Sequence, residues 1–516
     1  MIRSLLTVSL GTLSSRLLGF ARDSLIAALL GAGPAADAFL AAFQLVNVVR
    51  RLLSEGALNA ALVPAWLRAR EAAGPAAAAA FAGRVLGTIS AALVVISAVA
   101  AILMPLVIVA FAPGFVGHET LQLATGNARL MLPYLAFAGP VTVMLALSSA
   151  QGRFALAAFS PVLFNITLIA VTVALFALHL DAGRAALVIA AAVGIAGLLQ
   201  LLVLGLRQGD RVATPLRIAF DKEMRVFLTR AMPGMAASAG PQLFVVAGAI
   251  VASSSPSAVS WLYFANRLIE LPLGIVGVAM GMVLVPQMTR ALQRQDDGAI
   301  AEAESRALEL AVGLALPATL GLIALSEPIV RLLFEHGAFT ATDTAATAQA
   351  LIWLSFGLPA QVAVKSLSPA FFAREDTLTP LFAMLQGIAV AIAAALALNH
   401  FLGLSGIAAA LALGAWANAL VLMRRGAATF GFSIDAAARR RLPRMTAAAL
   451  AMGALLWLGR AAMPAADHGL AQAAILAALI AGAILVYGLC LTLFGVTGWR
   501  QTVNAIRQAP PHDLRA

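Results

Sequence analysis

Residues 154–178 run without a charged side chain, and stretches of this kind recur along the whole chain. A helix needs roughly 20 predominantly apolar residues to cross the hydrocarbon slab of a bilayer. About 14 such segments can be counted, near 5–30, 36–66, 84–111, 120–149, 155–178, 185–206, 223–252, 257–288, 306–334, 343–372, 378–398, 403–423, 443–463 and 470–494. A soluble core has no use for so much apolar surface. Hydrophobic residues fill 62% of the 516 positions and charged residues 11%, against about 25% charged in a soluble domain. The expectation is an all-α, multi-pass integral membrane protein. Arg3 and the apolar stretch behind it imitate a signal peptide, but Ser15-Arg16 makes a poor cleavage site and a second apolar run follows at once. This stretch therefore reads as a retained first helix.

The formal net charge is +11. With no hydrophilic domain to hold nucleic acid, the excess reads as the positive-inside bias of membrane loops. If the N-terminus is cytoplasmic, the inner loops carry Arg68, Arg70 and Arg84, then Arg153, then Arg207, Arg211, Arg217 and Lys222. Further along they carry Arg290 and Arg294, Arg374, and a group from Arg424 and Arg425 to Arg439, Arg440, Arg441 and Arg444. The outer loops are nearly free of Lys and Arg apart from Arg184, and the tail adds Arg500, Arg507 and Arg515 on the inner side. An error of one helix would scramble this alternation, so both termini are expected in the cytoplasm. The single cysteine, Cys490, excludes an internal disulfide framework. The six His have no metal-ligand spacing, and no nucleophile elbow or phosphate-binding Gly loop occurs. No enzyme activity, cofactor or metal is expected.

The chain also repeats itself. Pro64, Pro105, Phe111, Gly114, Pro140 and Pro161 match Pro286, Pro328, Phe334, Gly337, Pro359 and Pro380, all offset by 219 to 223 residues. Six segments per copy is an even number, so both copies enter the membrane in the same direction. The reading is two parallel six-helix lobes around a central cavity, residues 1–210 and 211–430, followed by two further helices in 431–500 and a cytoplasmic tail, 501–516.

Several charges lie where hydrocarbon should be. The first two segments hold Arg16, Arg22, Asp23, Asp37, Arg50, Arg51 and Glu55, and the eighth holds Arg267 and Glu270. An Arg at a helix centre costs about 2.5–3.5 kcal/mol on insertion scales, so these side chains must face a watery interior or carboxylate partners. Arg51 and Glu55, four apart, and Arg267 and Glu270, three apart, are spaced to pair on a helix face. Arg exceeds carboxylate here, and guanidinium suits bidentate binding of phosphate. The interior should prefer an anion. A cation-coupled or proton-coupled small-molecule exporter would place carboxylates there.

The runs SSRLLGFARDSLIAALLGAG (Ser14 to Gly33), DAFLAAF (Asp37 to Phe43) and NVVRRLLSEGALNAALVP (Asn47 to Pro64) resemble the MurJ (MviN) lipid II flippase family. So do YFANRLIELPLGIVGVAM (Tyr263 to Met280), EPIVRLLFEHGAFT (Glu327 to Thr340) and FFAREDTLTP (Phe371 to Pro380). The resemblance implies a fold of the multidrug/oligosaccharidyl-lipid/polysaccharide exporter type, a bacterial inner-membrane location and a role in peptidoglycan synthesis. It implies that lipid II, a disaccharide-pentapeptide on undecaprenyl pyrophosphate, is moved across the membrane by alternating access. Carried over by motif, Arg16, Arg22, Arg50 and Arg267 would bind the substrate. Asp23, Asp37, Asn47, Arg51, Glu55, Ser260 and Glu270 would support them, and the last two helices would form a groove for the lipid tail. Membrane lipids and the cell-wall synthesis machinery are further expected partners, and a monomer is expected. The alternatives are an exporter of another lipid-linked oligosaccharide and a MATE-like small-molecule transporter. Val46 and Asn266 depart from the family's usual Pro and acid, and Gln386 is nearly the only polar group in 380–398, so the sodium site of some members is not expected here.

Overall fold

The computed structural model describes residues 2–54, 57–208, 213, 216–279, 297–372, 374, 376–430, 435–461 and 469–496. Among the described residues there are sixteen α-helices, one 3₁₀ turn and no strand. In chain order they are α1 (Ile2–Leu30), α2 (Pro34–Ser54), α3 (Ala57–Phe111), the 3₁₀ turn (Pro113–Phe115), α4 (Glu119–Ala150), α5 (Phe154–Leu178), α6 (Ala182–Gln208), α7 (Lys222–Ala252) and α8 (Ala258–Ala279). Then come α9 (Asp297–Ala324), α10 (Ser326–Phe334), α11 (Ala341–Phe356), α12 (Leu358–Phe372), α13 (Leu378–Leu402), α14 (Leu404–Phe430), α15 (Ala436–Ala461) and α16 (Leu470–Leu493).

Nine of these helices are long and apolar enough to cross a membrane by length and composition alone. The pair α11 and α12, bent by 41°, makes a tenth. The bend falls just before Pro359, which has no N–H to continue the ladder of α11. The helices outside this group, α1, α2, α7, α8 and the short α10, include those with the intramembrane charges of the first, second and eighth segments. One expected connector is different. Residues 67–83 lie inside α3, which changes direction only at Gly74 (φ 81°, ψ −179°) ahead of Pro75. Their arginines suggested a loop; the alanines of 72–82 are strong helix formers and keep both flanks of Gly74 helical, so the connector narrows to a break at that residue.

The chain forms two compact units, one of residues 1–264 and 334–344, the other of residues 265–333 and 345–516. In the first unit, α3, α4 and α7 share a core of Trp66, Phe81, Val85, Leu147, Met224 and Phe227. In the second, α9, α15 and α16 close around Leu325, Met452, Leu456 and Leu476.

The first unit contains a reciprocal exchange between matching parts of the repeat. The turn after α3 docks on the end of α7, where Gly114 N–H donates to Ser253 Oγ at 3.0 Å. The turn after α10 docks on the end of α1, where Ala338 N–H donates to the Ala28 carbonyl at 2.7 Å. Both turns need glycine for contact. A Cβ on Gly114 would stand 2.1 Å from the Ser253 carbonyl oxygen, and one on Gly337 (φ +58°) would stand 2.3 Å from that of Ala28. Beside these turns Phe264, Phe334 and Phe339 pack as a buried aromatic cluster, with ring centroids 5.1 to 6.1 Å apart.

Candidate functional site

In the first unit the intramembrane charges sit on α1 and α2. Arg22 and Asp23 are buried, 7% and 1% exposed. Arg22 donates through Nε and Nη2 to Asp23 Oδ1, at 2.9 and 2.6 Å. Its Nη1 donates to Asn165 Oδ1 on α5 at 3.0 Å. The rings of Phe43 and Phe164 lie 5.0 and 5.9 Å from the guanidinium carbon. From α8, the Tyr263 hydroxyl reaches the same carboxylate oxygen of Asp23 at 3.4 Å.

Asp37, in the first turn of α2, is also buried. Its Oδ1 accepts from Ser260 N–H at 2.9 Å and from Ser260 Oγ at 2.5 Å. Ser260 lies in the first turn of α8, where backbone N–H groups have no partner within the helix. A carboxylate there both accepts those donors and complements the positive end of the helix dipole. Asp37 is thus a helix cap supplied by another helix. The two residues stand 223 positions apart, the spacing that also separates Gly114 from Gly337. Matching positions of two copies that touch one another lie beside the axis relating them.

Arg16 and Arg50 are half-buried. Arg50 Nε donates to Asn47 Oδ1, one turn earlier, at 3.2 Å. Among the described residues neither Arg16 nor Arg50 has a carboxylate within ion-pair distance. The expected pairing of Arg51 with Glu55 lies outside the described residues, because Glu55 does. Among the described residues of α1 and α2, Asp23 is thus engaged by Arg22 and Asp37 by the start of α8, and Arg16 and Arg50 are in no ion pair.

In the second unit Arg267 and Glu270 form the expected pair, Nη1 to Oε2 at 2.8 Å. Lys365 of α12 brings its Nζ to 3.6 Å from where a Cβ on Gly277 would stand. Two other intramembrane arginines have plainer occupations. Arg331 pairs with Glu327 at 2.7 Å, and Arg129 Nε donates to the Ala101 carbonyl at 2.9 Å. Gln386 is exposed on the outside of α13. Sequence reasoning missed Asn165 and Tyr263. The signal for the first was available: it is the most polar residue of an uncharged 25-residue helix.

The sequence pattern of the family described as Lipid II flippase MurJ matches residues 26–487. The chain belongs to the lipid II flippase MurJ family. A probable lipid II flippase MurJ of Rhizobium tropici is 35% identical over all of this chain and 99% of its own length. One from Rhizobium meliloti is 36% identical, covering 96% of this chain and 94% of the relative. The lipid II flippase MurJ of Burkholderia cenocepacia is 33% identical over 82% of this chain and 83% of its own. A solved lipid II flippase MurJ in an inward closed conformation shares the fold at a TM-score of 0.79 and 23% identity, covering 96% of this chain and 99% of that one. An inward-facing multidrug-resistance MATE transporter of the MOP superfamily shares it at 0.66 and 16%, over 86% and 99%. The MurJ fold and family make this chain a multi-pass membrane transporter.

Proposed function

We propose that this chain is a lipid II flippase that carries the undecaprenyl-pyrophosphate-linked peptidoglycan precursor from the cytoplasmic to the periplasmic leaflet of the bacterial inner membrane. Family membership supports the substrate. The observation that carries the chemistry is the imbalance among the described residues of α1 and α2: Asp23 and Asp37 are engaged, and Arg16 and Arg50 are in no ion pair with a described carboxylate. An unpaired cation in low dielectric is costly, and a doubly charged pyrophosphate arriving there relieves that cost. Arg16, Arg50 and Arg267 hold the phosphates, and Arg22 contributes the flat, always-charged fork that phosphate geometry favours. Glu270 keeps Arg267 solvated by charge until the anion displaces it. The isoprenoid tail stays in lipid beside α15 and α16. Neutralisation of the arginines on loading favours the closed inner state, and alternating access then exposes the headgroup outside. Both termini lie in the cytoplasm.

The test is charge reversal in cells depleted of their own flippase, with the leaflet position of lipid II as the readout. Arg50→Glu and Arg267→Glu should leave lipid II in the inner leaflet while the purified variants keep the parental unfolding temperature. Arg50→Lys, which keeps the charge and loses the fork, should retain partial flipping. Full flipping by either charge-reversed variant refutes the arginine assignment. Normal lipid II distribution in cells without any flippase except an inactive form of this chain refutes the substrate.

A further inference from the structure

Asn165 sits on α5, in a helix with no charged residue, and is 5% exposed. A primary amide in such a place is costly unless both its halves are bonded. They are. Oδ1 accepts from Arg22 Nη1 at 3.0 Å, and Nδ2 donates to the Ser15 carbonyl at 3.0 Å. Ser15 and Arg22 are seven residues apart, two turns along one face of α1. Helical side chains lean toward the N-terminus, so the Arg22 guanidinium hangs back to the level of Ser15, and one amide spans both.

The pose of Arg22 is not one that α1 would impose by itself. Neighbouring residues on a helix do not face each other, yet Nε and Nη2 both reach Asp23 Oδ1. Something beyond the helix must hold the guanidinium plane. Phe43 and Phe164 border it without fixing its rotation in the plane. The hydrogen bond from Nη1 to Asn165 does fix it. Three of the five guanidinium N–H groups are then engaged, and two remain in a set orientation.

We propose that Asn165 is a positioning residue for phosphate capture: it presets the plane of the Arg22 guanidinium. The proposal rests on the flippase reading above. A preset donor binds more tightly than one that must be ordered by its ligand.

The test uses the purified full-length chain in liposomes, with lipid II as the probe, reading the half-saturating concentration and the maximal flipping rate separately. Asn165→Leu should raise the half-saturating concentration about tenfold, the scale of a hydrogen bond to a charged group, with a smaller change in maximal rate. Asn165→Asp keeps the acceptor for Arg22 and loses the donor to Ser15, and should stay within about threefold of the parent. In an Arg22→Lys background, where there is no fork to orient, Asn165→Leu should add nothing further. Asn165→Ala carries the same reading should leucine prevent folding. Parental behaviour of Asn165→Leu overturns the proposal. So does equal failure of the Leu and Asp variants, which would make the amide a strut for the Ser15 carbonyl, and so does an undiminished effect in the Arg22→Lys background. If the parent itself does not move lipid II, the substrate assignment is what fails.

Discussion

Asp37 shows how far a charged residue's motif can be from its occupation. In the sequence it stands with Arg16, Arg22 and Arg50 as one more polar group of the first two segments. In the structure its carboxylate is taken by the first turn of α8. Nothing local announces this, because the donor lies 223 residues away. Arg267 with Glu270 is the opposite case, since both partners sit on one helix and the three-residue spacing is enough. Asp37→Ala should destabilise the protein by about 1–2 kcal/mol, the range for a lost cap. Asp37→Asn keeps an acceptor and should lose much less. Thermal unfolding in detergent separates the two, and equal losses would show that the charge and not the hydrogen bond matters. A second cap lies outside the membrane. Burial pulls the Asp376 carboxyl upward, but the N–H groups of Leu378 and Thr379 and the Thr379 hydroxyl at the start of α13 outweigh it and hold it below the usual carboxylate range. A depressed carboxyl contributes stability that is complete above the unfolded-state value, about 3.9, and is lost as pH falls through the folded one. Asp376→Asn should therefore lower the unfolding temperature at neutral pH and flatten the acid limb of the profile below about pH 4, where parent and variant converge.

At the scale of elements, the described residues of the fourteen apolar segments fall on helical stretches, because a membrane admits little else. Boundaries were less legible. The connector that charge suggests at 67–83 narrows to a break at Gly74, since the alanines on either side keep both flanks helical. The segment at 306–334 is two helices, α9 and α10, because the chain turns at Leu325 where Glu327 takes up a bridging place. Glu327 binds Arg331 of its own helix and Arg460 at the end of α15, each at 2.7 Å. Tyr487 of α16 donates to the Gly313 carbonyl of α9 at 2.7 Å. These two contacts dock the last two helices on α9 and α10. All three charged side chains are more than a third exposed, so each pair contributes less than about 1 kcal/mol. Glu327→Ala does more than delete them, because it leaves two guanidiniums near one another. Faster amide exchange at the α15 end around Arg460, with α3 and α4 unchanged, is the expected result. Uniform exchange across the chain would mean that α15 is held by its apolar face alone.

At the scale of the whole molecule, the parallel repeat was legible as an offset and nothing more, for four prolines and a glycine do not say which copy touches which. The first unit answers that. The turn after α3 holds the end of α7, and the turn after α10 holds the end of α1. Each copy's turn thus closes on the other copy's opening helix. That exchange requires both turns to lie at the same end of the helices, which follows if each copy spans the membrane an even number of times. An inverted repeat would separate them by the full thickness of the bilayer, about 30 Å. The consequence can be tested in cells with a variant in which the only native thiol is removed by Cys490→Ser. His118 and His336, both exposed, follow α3 and α10. His118→Cys and His336→Cys should each react with a membrane-impermeant maleimide from the periplasmic side. Ala437→Cys, exposed at the start of α15 beside Arg439, Arg440 and Arg441, should react only after the inner membrane is opened. Labelling of the two histidine positions from opposite sides would break the parallel repeat. Labelling of Ala437→Cys in intact cells would instead invert the orientation and leave the repeat standing, and with it the reciprocal contacts that the two glycines permit.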